Sequence, residues 1–251
     1  MKLKKENINN LNTKRYIVIK PNKNDKDVAL KWLREEYEQI GEGFYCNKSI
    51  IEEALKREEL IILKENDNVV GLAVWSEYEK KQVTIEIFVI QPRYRNQGLG
   101  TFFYKEISNY FKNNGNEVIK LFCSPESSKK FWKNNGFIKF PKIERSDERL
   151  WYYQTLINIA SMEECNEKDK IELWNIEPDE SYRKRSKWRW YVNINAGKLE
   201  LPIIFPCNCN WKMRWSKNGK TIKEGKVKYF TKNEYELYKN PFLYIRSLKN
   251  I

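Results

Sequence analysis

Histidine is absent from the 251-residue sequence. Its absence excludes Ser-His-Asp and Cys-His catalysis and removes the side chain that most often titrates near neutral pH. Any general base must therefore be a carboxylate, a lysine or cysteine with a shifted pKa, or a water molecule held by backbone groups.

Cysteine is scarce as well. Five cysteines, an odd number at irregular spacing, do not predict a disulfide framework. Cys207 and Cys209 form the one close pair, but four tetrahedral zinc ligands are hard to assemble without histidine or a second pair nearby. We expect ordinary buried thiols and no metal.

Long apolar runs are also missing. No stretch approaches the roughly 20 apolar residues of a membrane helix, and the basic residues 1–16 lack the apolar segment of a secretory signal. We expect a cytoplasmic protein that does not bind membranes. The hydrophobic fraction of 41% is enough for a packed core.

Acidic residues are outnumbered, 34 against 47 basic ones, which gives a net charge of +13. Residues 158–251 contribute 19 basic and 12 acidic residues, and residues 183–228 contribute 13 and 2. Such a density of positive charge favours an acidic partner, although many basic faces only oppose aggregation.

The apolar pattern of residues 15–157 predicts the order strand, two helices, three strands, helix, strand, helix and strand. We expect the first two helices at 27–39 and 49–58, the second with a capping box from Ser49 to Glu52. The apolar runs on either side of Asn66-Asp67-Asn68 predict a hairpin.

Glycine is rare, with 10 residues, yet Gly98 and Gly100 lie one residue apart where an apolar strand meets a predicted helix. Glycine lets backbone amides approach a ligand closely, and the first N–H groups of a helix attract anions. The segment Arg95-Asn96-Gln97-Gly98-Leu99-Gly100 therefore indicates a phosphate cradle. A surface turn with a helix cap is the plainer alternative.

Together with the element order, this segment resembles the Gln/Arg-x-x-Gly-x-Gly/Ala signature of the GNAT superfamily of N-acetyltransferases. "FWKNNGF" follows where that family has a second motif. The resemblance covers residues 14–157 and implies an α/β (α+β) fold, a GNAT-like mixed sheet flanked by helices. It also implies that acetyl-CoA, or another short acyl-CoA, binds at Arg95, Asn96, Gln97, Gly98, Leu99, Gly100 and Thr101, with Trp132 nearby.

The second motif departs from the family. Trp132 stands where many members have a tyrosine that protonates the leaving thiolate, and Pro125 replaces a common asparagine. Three alternatives follow. Ser127, Ser128 or Cys123 replaces the acid, the thiolate leaves unassisted because a thiol pKa of ~8.5 permits it, or the domain binds coenzyme A without catalysis.

The resemblance also implies a glutamate base and a role for backbone groups of the fourth strand. Glu86 lies within "VTIEIFVI", where a charge is costly unless it has a task or a partner. We expect its side chain on the same face as Thr84 and Phe88. The alternative is a glutamate paired with a lysine. The backbone groups would be those of Phe88, Val89 and Ile90.

In the C-terminal part, apolar and polar residues alternate with a period of two, as in β-strands. This part resembles no family known to us. Trp188, Trp190, Trp211 and Trp215 fall on the apolar face, so we expect them in a core. The opposite face would carry Lys187, Arg189, Lys212 and Arg214 as a contact surface. Asn218-Gly219 predicts a hairpin turn, Gly225 a bulge, and "TKNEYELY" a final helix.

We therefore expect a GNAT-like domain at 1–157, a linker at 158–182, and a small, basic, Trp-rich, mainly antiparallel β domain at 183–251. The implied activity is acetyl transfer to a primary amine, with Glu86 and Ser128 as catalytic groups. The acceptor would be RNA, charged tRNA, a ribosomal particle or an acidic protein, and would contact the loop that holds Gly41, Gly43, Phe44 and Tyr45. The alternatives are a catalytically lapsed domain joined to a nucleic-acid-binding module, and a small-molecule enzyme with a dimerisation domain.

Overall fold

The computed structural model describes residues 15–79, 81–143, 151–163, 169–195, 197–230 and 242–248. These residues form two compact units, one of residues 15–138 with 151–156, the other of residues 139–143 with 157–248. Among the described residues, no helix has both the length and the apolar character needed to span a membrane.

The first unit is built on a seven-stranded sheet with the order β1-β2-β3-β4-β5-β7-β6. Its strands are β1 (Tyr16–Ile19), β2 (Leu60–Glu65), β3 (Asn68–Glu79), β4 (Gln82–Ile90), β5 (Val118–Phe122), β6 (Ile138–Lys139) and β7 (Trp151–Thr155). Strands β4 and β5 run parallel, whereas β1–β2, β2–β3, β3–β4 and β5–β7 are antiparallel. The mixed sheet expected from the sequence is confirmed.

Four helices of the described residues flank this sheet. They are α1 (Lys23–Ile40), α2 (Lys48–Lys56), α3 (Leu99–Asn113) and α4 (Lys129–Asn134). The order of helices and strands confirms the prediction, to which the structure adds the two-residue β6. Short 3-10 turns at Phe44–Asn47, Pro92–Tyr94 and Glu126–Ser128 precede α2, α3 and α4.

Two separate hydrophobic clusters lie against the sheet. In one cluster, Leu33 of α1 and Ile51 of α2 pack with strand residues such as Leu72. In the other, Phe103 of α3 and Trp132 of α4 pack with strand residues such as Leu121. Helix pairs thus cover both faces, which explains why the central strands are almost continuously apolar.

Both predicted helix starts differ from the structure. Helix α1 begins four residues earlier than expected, because Asn22 and Asp25 form a capping box. Helix α2 begins at Lys48, so Ser49 lies inside it, and its N-cap Asn47 makes no side-chain cap bond. The capping box predicted from Ser49 to Glu52 is wrong.

The second unit contains two antiparallel sheets, with orders β13-β12-β8-β9 and β10-β11-β14. Its strands are β8 (Asp169–Leu173), β9 (Trp188–Val192), β10 (Ile194–Asn195), β11 (Lys198–Pro206), β12 (Lys212–Lys217), β13 (Lys220–Lys226) and β14 (Phe242–Ser247). Both sheets contribute to one hydrophobic cluster, which includes Trp190, Met213, Ile203 and Leu243. The mainly antiparallel character expected for this part is confirmed.

Details of the second unit correct the sequence interpretation. Strand β8 lies inside the expected linker 158–182 and pairs with both β9 and β12. The hairpin at Asn218-Gly219 is present, with positive φ at both residues. The register of β12–β13 slips at Ile222 and not at Gly225, which pairs directly with Met213. The helix predicted at "TKNEYELY" lies outside the described residues.

Candidate functional site

A cavity of about 450 Å³ opens where β4 and β5 separate. The two strands pair in parallel from Gln82–Val118 to Ile85–Leu121, and β4 then continues to Ile90 beyond that register. The cavity is lined by Phe44, Ile85, Glu86, Phe88, Ile90, Arg95, Asn96, Gly98, Gly100, Thr101, Leu121, Phe122, Ser124, Pro125, Ser128, Phe131 and Trp132. Eleven of the site residues predicted from the sequence meet here.

Glu86 is the extra residue of a β-bulge in β4. Val74 of β3 pairs with Ile87, but the next residue, Trp75, pairs with Ile85. The bulge reverses the alternation of the strand, so Thr84 and Phe88 cannot both share a face with Glu86, as expected from a regular strand. Glu86 is exposed. The bulge therefore removes the desolvation cost that the sequence had suggested for this charge.

The Glu86 carboxylate is held by a hydroxyl of the neighbouring strand. Ser76 Oγ donates a hydrogen bond of 2.7 Å to Glu86 Oε1, and Ser76 is itself buried. A buried donor fixes the carboxylate while its second oxygen stays available. No local sequence pattern indicates Ser76, because the contact depends on the register shift at the bulge. Among the residues that the structure describes, Glu86 has no lysine partner of the kind considered as the alternative.

The turn before α3 presents free amides to solvent. Asn96 and Gly98 both have positive φ, of 62° and 82°, and Gly98 is the N-cap of α3. The first intrahelical bond runs from Phe102 N to Gly98 O, which leaves the N–H groups of Leu99, Gly100 and Thr101 without helical acceptors. The Gln97 side chain turns back to the carbonyl of Arg93. Such a helix start suits an anion.

The two glycines of this turn serve different purposes. Gly98 has the left-handed conformation that other residues adopt only with strain. Gly100 has no positive φ, but a Cβ there would lie 3.2 Å from Cε2 of Phe131 and 3.8 Å from Cγ1 of Ile90. Gly100 thus lets α3 begin directly against the side chain of Phe131.

The Arg95 side chain holds the glycine turn in place through two contacts. Its Nε donates to the carbonyl of Ile90 at 2.8 Å, and its Nη2 lies 2.6 Å from the Glu36 carboxylate of α1. Glu36 is buried. Arg95 therefore joins α1, the end of β4 and the glycine turn. It also lines the cavity, although two of its donors are already engaged.

Tyr94 anchors the same turn on its other side. Its hydroxyl donates to Glu65 Oε2 at 2.7 Å, and Tyr16 donates to Oε1 of the same buried carboxylate. The hydrogen bond from Tyr94 lowers the pKa of Glu65 and outweighs the effect of burial. The carboxylate is therefore charged at neutral pH and holds the turn against β2.

Trp132 lies in an aromatic cluster beside the cavity. Its ring contacts those of Phe88, Tyr104, Phe131 and Phe137 at centroid distances of 4.8 to 5.7 Å. Tyr104 does not replace the missing phenol, because it does not line the cavity and burial raises its pKa.

Phe88 and Ile90 also line the cavity, whereas Val89 packs in the α1–α2 cluster.

The loop after β5 brings one hydroxyl into the cavity. Ser128 Oγ donates to the carbonyl of Pro125 at 2.8 Å and lies 3.2 Å from Sγ of Cys123. Cys123 is buried, and neither it nor Ser127 lines the cavity. Of the three residues considered as replacement acids, only Ser128 reaches the site.

The two aromatic residues expected to contact the acceptor lie in different places. Phe44 lines the cavity, while Tyr45 packs against Tyr37 at a ring distance of 6.2 Å and does not. Phe122, which the sequence analysis did not single out, also lines the cavity and is 47% exposed. Its position follows from the separation of β5 from β4 and not from any motif.

Carboxylates are interleaved with the cations of the proposed contact surface of the second unit. Glu172 of β8 pairs in register with Arg189 of β9 and Arg214 of β12, and Arg214 pairs with Glu224 of β13. Ion-pair distances are 3.4 Å for Arg189–Glu172, 2.8 Å for Arg214–Glu172 and 2.7 Å for Lys212–Glu224. Three of the four predicted cations therefore belong to an alternating charge ladder, and only Lys187 stays outside it.

The tryptophans of this unit are structural, as expected from the alternation. Trp190 and Trp211 are buried, and Trp188 and Trp215 pack against the same cluster.

Cys207 and Cys209 are buried free thiols, and burial raises the pKa of Cys207. Within the described ranges, no three His, Cys, Asp or Glu side chains are grouped to hold a metal.

Residues 27–137 match the family model described as "Acetyltransferase (GNAT) family". The match ends before the second unit. No curated protein matches the chain.

Solved structures resemble the chain over a little more than half of its length. A GNAT-family acetyltransferase from Staphylococcus aureus Mu50 is 17% identical, covers 57% of this chain and 99% of its own, and has a TM-score of 0.46. PaiA N-acetyltransferase from Thermoplasma acidophilum, in complex with coenzyme A, is 15% identical over 56% and 98%, with a TM-score of 0.43. An aminoglycoside 6'-N-acetyltransferase complexed with coenzyme A is 14% identical over 58% and 99%, with a TM-score of 0.47.

Proposed function

Because residues 27–137 are an N-acetyltransferase domain of the GNAT family, we propose that the protein transfers an acetyl group from acetyl-CoA to a primary amine. One observation carries the proposal. The bulge at Glu86 coincides with the end of the β4–β5 pairing, so a carboxylate stands inside the cavity that also holds the free amides of the α3 start.

The cradle and the cavity together suit acetyl-CoA. The amides of Leu99, Gly100 and Thr101 would bind the pyrophosphate, because a helix start offers both free donors and partial positive charge. Gly98 is exposed and has no Cβ, so phosphate oxygens can approach it closely. Phe88 and Ile90 provide an apolar wall for the pantetheine arm, and the backbone groups of Phe88 to Ile90 would orient the thioester.

In the reaction, Glu86 or a water molecule that it holds accepts a proton from the amine. The amine nitrogen attacks the thioester carbon, a C–N bond forms and the C–S bond breaks. The electron pair of the broken bond leaves with sulfur as a thiolate. The Ser128 hydroxyl would turn from the Pro125 carbonyl to donate its one hydrogen bond to that thiolate, which then takes its proton from solvent. A thiol pKa of ~8.5 makes such a leaving group tolerable.

For the acceptor we propose a primary amine presented by an acidic macromolecule, recruited through the second unit. The charge of residues 183–228, 13 basic against 2 acidic, supports this choice. Since the charge ladder engages Arg189, Lys212 and Arg214, recruitment would fall to cations outside it. Phe44 and Phe122, at the cavity, would contact the group that carries the amine.

The second candidate function is coenzyme A binding without catalysis. It is favoured by Trp132, whose indole N–H does not release a proton at useful pH, and by Pro125 in place of the family's asparagine. The two candidates share the cradle and differ only in what happens at Glu86.

The test combines binding with turnover. Acetyl-CoA is titrated calorimetrically into the wild type, Gly98→Glu and Glu86→Gln, and thiol release is then measured with a panel of amines, peptides and RNA. We expect binding to the wild type and Glu86→Gln, none to Gly98→Glu, and a loss of turnover of ~10²-fold or more in Glu86→Gln. Binding without release for every acceptor would favour the second candidate, and no binding to the wild type would refute both.

A further inference from the structure

We propose that the segment Tyr182–Lys187, hereafter the basic loop, binds single-stranded nucleic acid. Its sequence is Tyr-Arg-Lys-Arg-Ser-Lys, and it lies between the 3-10 turn Pro178–Ser181 and strand β9. The proposal depends on neither acetyl transfer nor coenzyme binding.

Three hydrogen bonds to backbone groups of the basic loop hold it in place. Lys184 N donates to the carbonyl of Ser181 at 3.0 Å, and Lys187 N donates to that of Leu173 at 2.9 Å. The indole N–H of the buried Trp174 donates to the carbonyl of Lys184 at 2.9 Å. A loop held in this way presents its side chains without a large ordering cost on binding.

The four cations of the basic loop are open to a ligand. Arg183, Lys184, Arg185 and Lys187 are all exposed. In the part of the chain that the structure describes, none of them has an acidic partner. This distinguishes them from the neighbouring ladder, where Glu172 alone receives Lys170, Arg189 and Arg214. Ion pairs already engage the ladder cations, so a polyanion would gain most at the basic loop.

Tyr182 supplies the feature that selects nucleic acid among polyanions. Its side chain is 78% exposed, and the guanidinium of Arg183 lies 5.1 Å from its ring centroid. Arg183 has a positive φ of 58°, a conformation uncommon outside glycine and asparagine. An exposed aromatic ring with cations around it can stack a base while the cations contact phosphates. Duplex bases are already stacked, which favours a single strand.

Two carboxylates limit the site on one side. Asp179 and Glu180 belong to the 3-10 turn before the basic loop and are exposed. They oppose a polyanion, so the strand would follow the loop from Tyr182 toward Lys187. Removal of the Asp179 charge should accordingly tighten binding.

The experiment uses the full chain and a fluorescently labelled 12-nucleotide oligouridine, with anisotropy recorded at several salt concentrations. The loop variant Arg183→Ala/Lys184→Ala/Arg185→Ala should lose at least tenfold in affinity, and its salt slope should fall by about 2, since each phosphate contact contributes ~0.7. Tyr182→Ala should lose about fivefold or more with an unchanged slope, because stacking is not ionic. Asp179→Asn should bind about twofold tighter or better.

The matched control is Lys31→Ala/Lys105→Ala/Lys112→Ala, which removes the same charge from exposed helix positions of the first unit. It should keep most of the wild-type affinity. Equal losses in the loop variant and the control would overturn the proposal, because binding would then follow net charge alone. An unchanged affinity in Tyr182→Ala would also overturn the proposal. Binding would then not need base stacking, and a polyanion without bases, such as heparin, would bind as well. Thermal unfolding confirms that each variant is folded.

Discussion

The carboxylate of Glu36 lies 2.6 Å from the guanidinium of Arg95, although the two residues are 59 positions apart in the chain. The same guanidinium holds the carbonyl of Ile90. Arg95, which the family signature suggests as a phosphate neighbour, is thus also a brace for the turn that carries the cradle.

We expect Glu36→Gln to weaken acetyl-CoA binding by up to about tenfold, because roughly 1.4 kcal/mol of turn ordering would be lost. Arg95→Ala should weaken it at least as much. Calorimetric titration measures both. If Arg95 acted only as a phosphate ligand, Glu36→Gln would free it and leave affinity unchanged or higher. Glu38→Gln is the control, since its partner Arg34 is on the exposed surface of α1.

Gly98→Ala should cost about 1 kcal/mol of stability, because alanine is strained at positive φ. It should also weaken acetyl-CoA binding, since the strain falls on the cradle. Gly115→Ala is a matched control: Gly115 has nearly the same φ, 83° against 82°, and open space at its Cβ. Its stability loss should be similar and its coenzyme affinity unchanged, by thermal unfolding and calorimetry. An equal loss of affinity in both variants would show that the cradle does not bind the coenzyme.

Gly100→Ala should be destabilising through contact with Phe131 and not through backbone strain. Its Cβ would lie 3.2 Å from Cε2 and 3.6 Å from Cζ of that ring. We expect a loss of about 1–3 kcal/mol, typical of overpacking. The smaller side chain of Phe131→Leu should recover part of it in the double variant. Additive losses in a double-mutant cycle, measured by urea unfolding, would contradict this explanation.

Ser128→Ala should lower kcat by roughly tenfold, about 1.4 kcal/mol, because the thiolate would lose one hydrogen bond. The KM for acetyl-CoA should hardly change. Ser127→Ala is the control, since Ser127 is exposed and does not line the cavity. Steady-state thiol release measures both. An unchanged kcat in Ser128→Ala would mean that the thiolate leaves without help from the protein.

Glu172→Gln should destabilise the second unit in a pH-dependent way. Burial alone would raise the pKa of Glu172, but the hydrogen bond and charge of Arg214, with Lys170 and Ser186, hold it below its usual value. The charged carboxylate therefore stabilises the fold fully above about pH 4.5, and this contribution is lost as the pH falls through the lowered pKa.

At pH 7 we expect the Gln variant to be less stable by about 2 kcal/mol, the scale of hydrogen bonds to charged groups. The difference from wild type should shrink below about pH 4.5. Urea unfolding at pH 7 and pH 3, followed by tryptophan fluorescence, measures it. Glu200→Gln, at an exposed position of β11, should have little effect at either pH. A difference that persists undiminished at pH 3 would mean that packing, not charge, explains the loss.

Much of the architecture was predictable from local patterns. The order of elements in residues 15–157, the glycine turn at Gly98 and the hairpin at Asn218-Gly219 all depend on residues close together in the chain. Periodicity and turn chemistry record such features directly. The burial of Trp190 and Trp211 was predictable for the same reason, because strand alternation fixes which side chains share a face.

The sequence by itself determined which residues could carry the chemistry: without histidine, carboxylates and backbone amides had to serve. Only the tertiary structure decided where these groups point. The bulge at Glu86 depends on how β3 pairs with β4, the brace on Arg95 depends on α1, and the ladder around Glu172 depends on a strand that lay within the expected linker. Register and long-range ion pairs are set when distant segments pack together, so no local pattern records them.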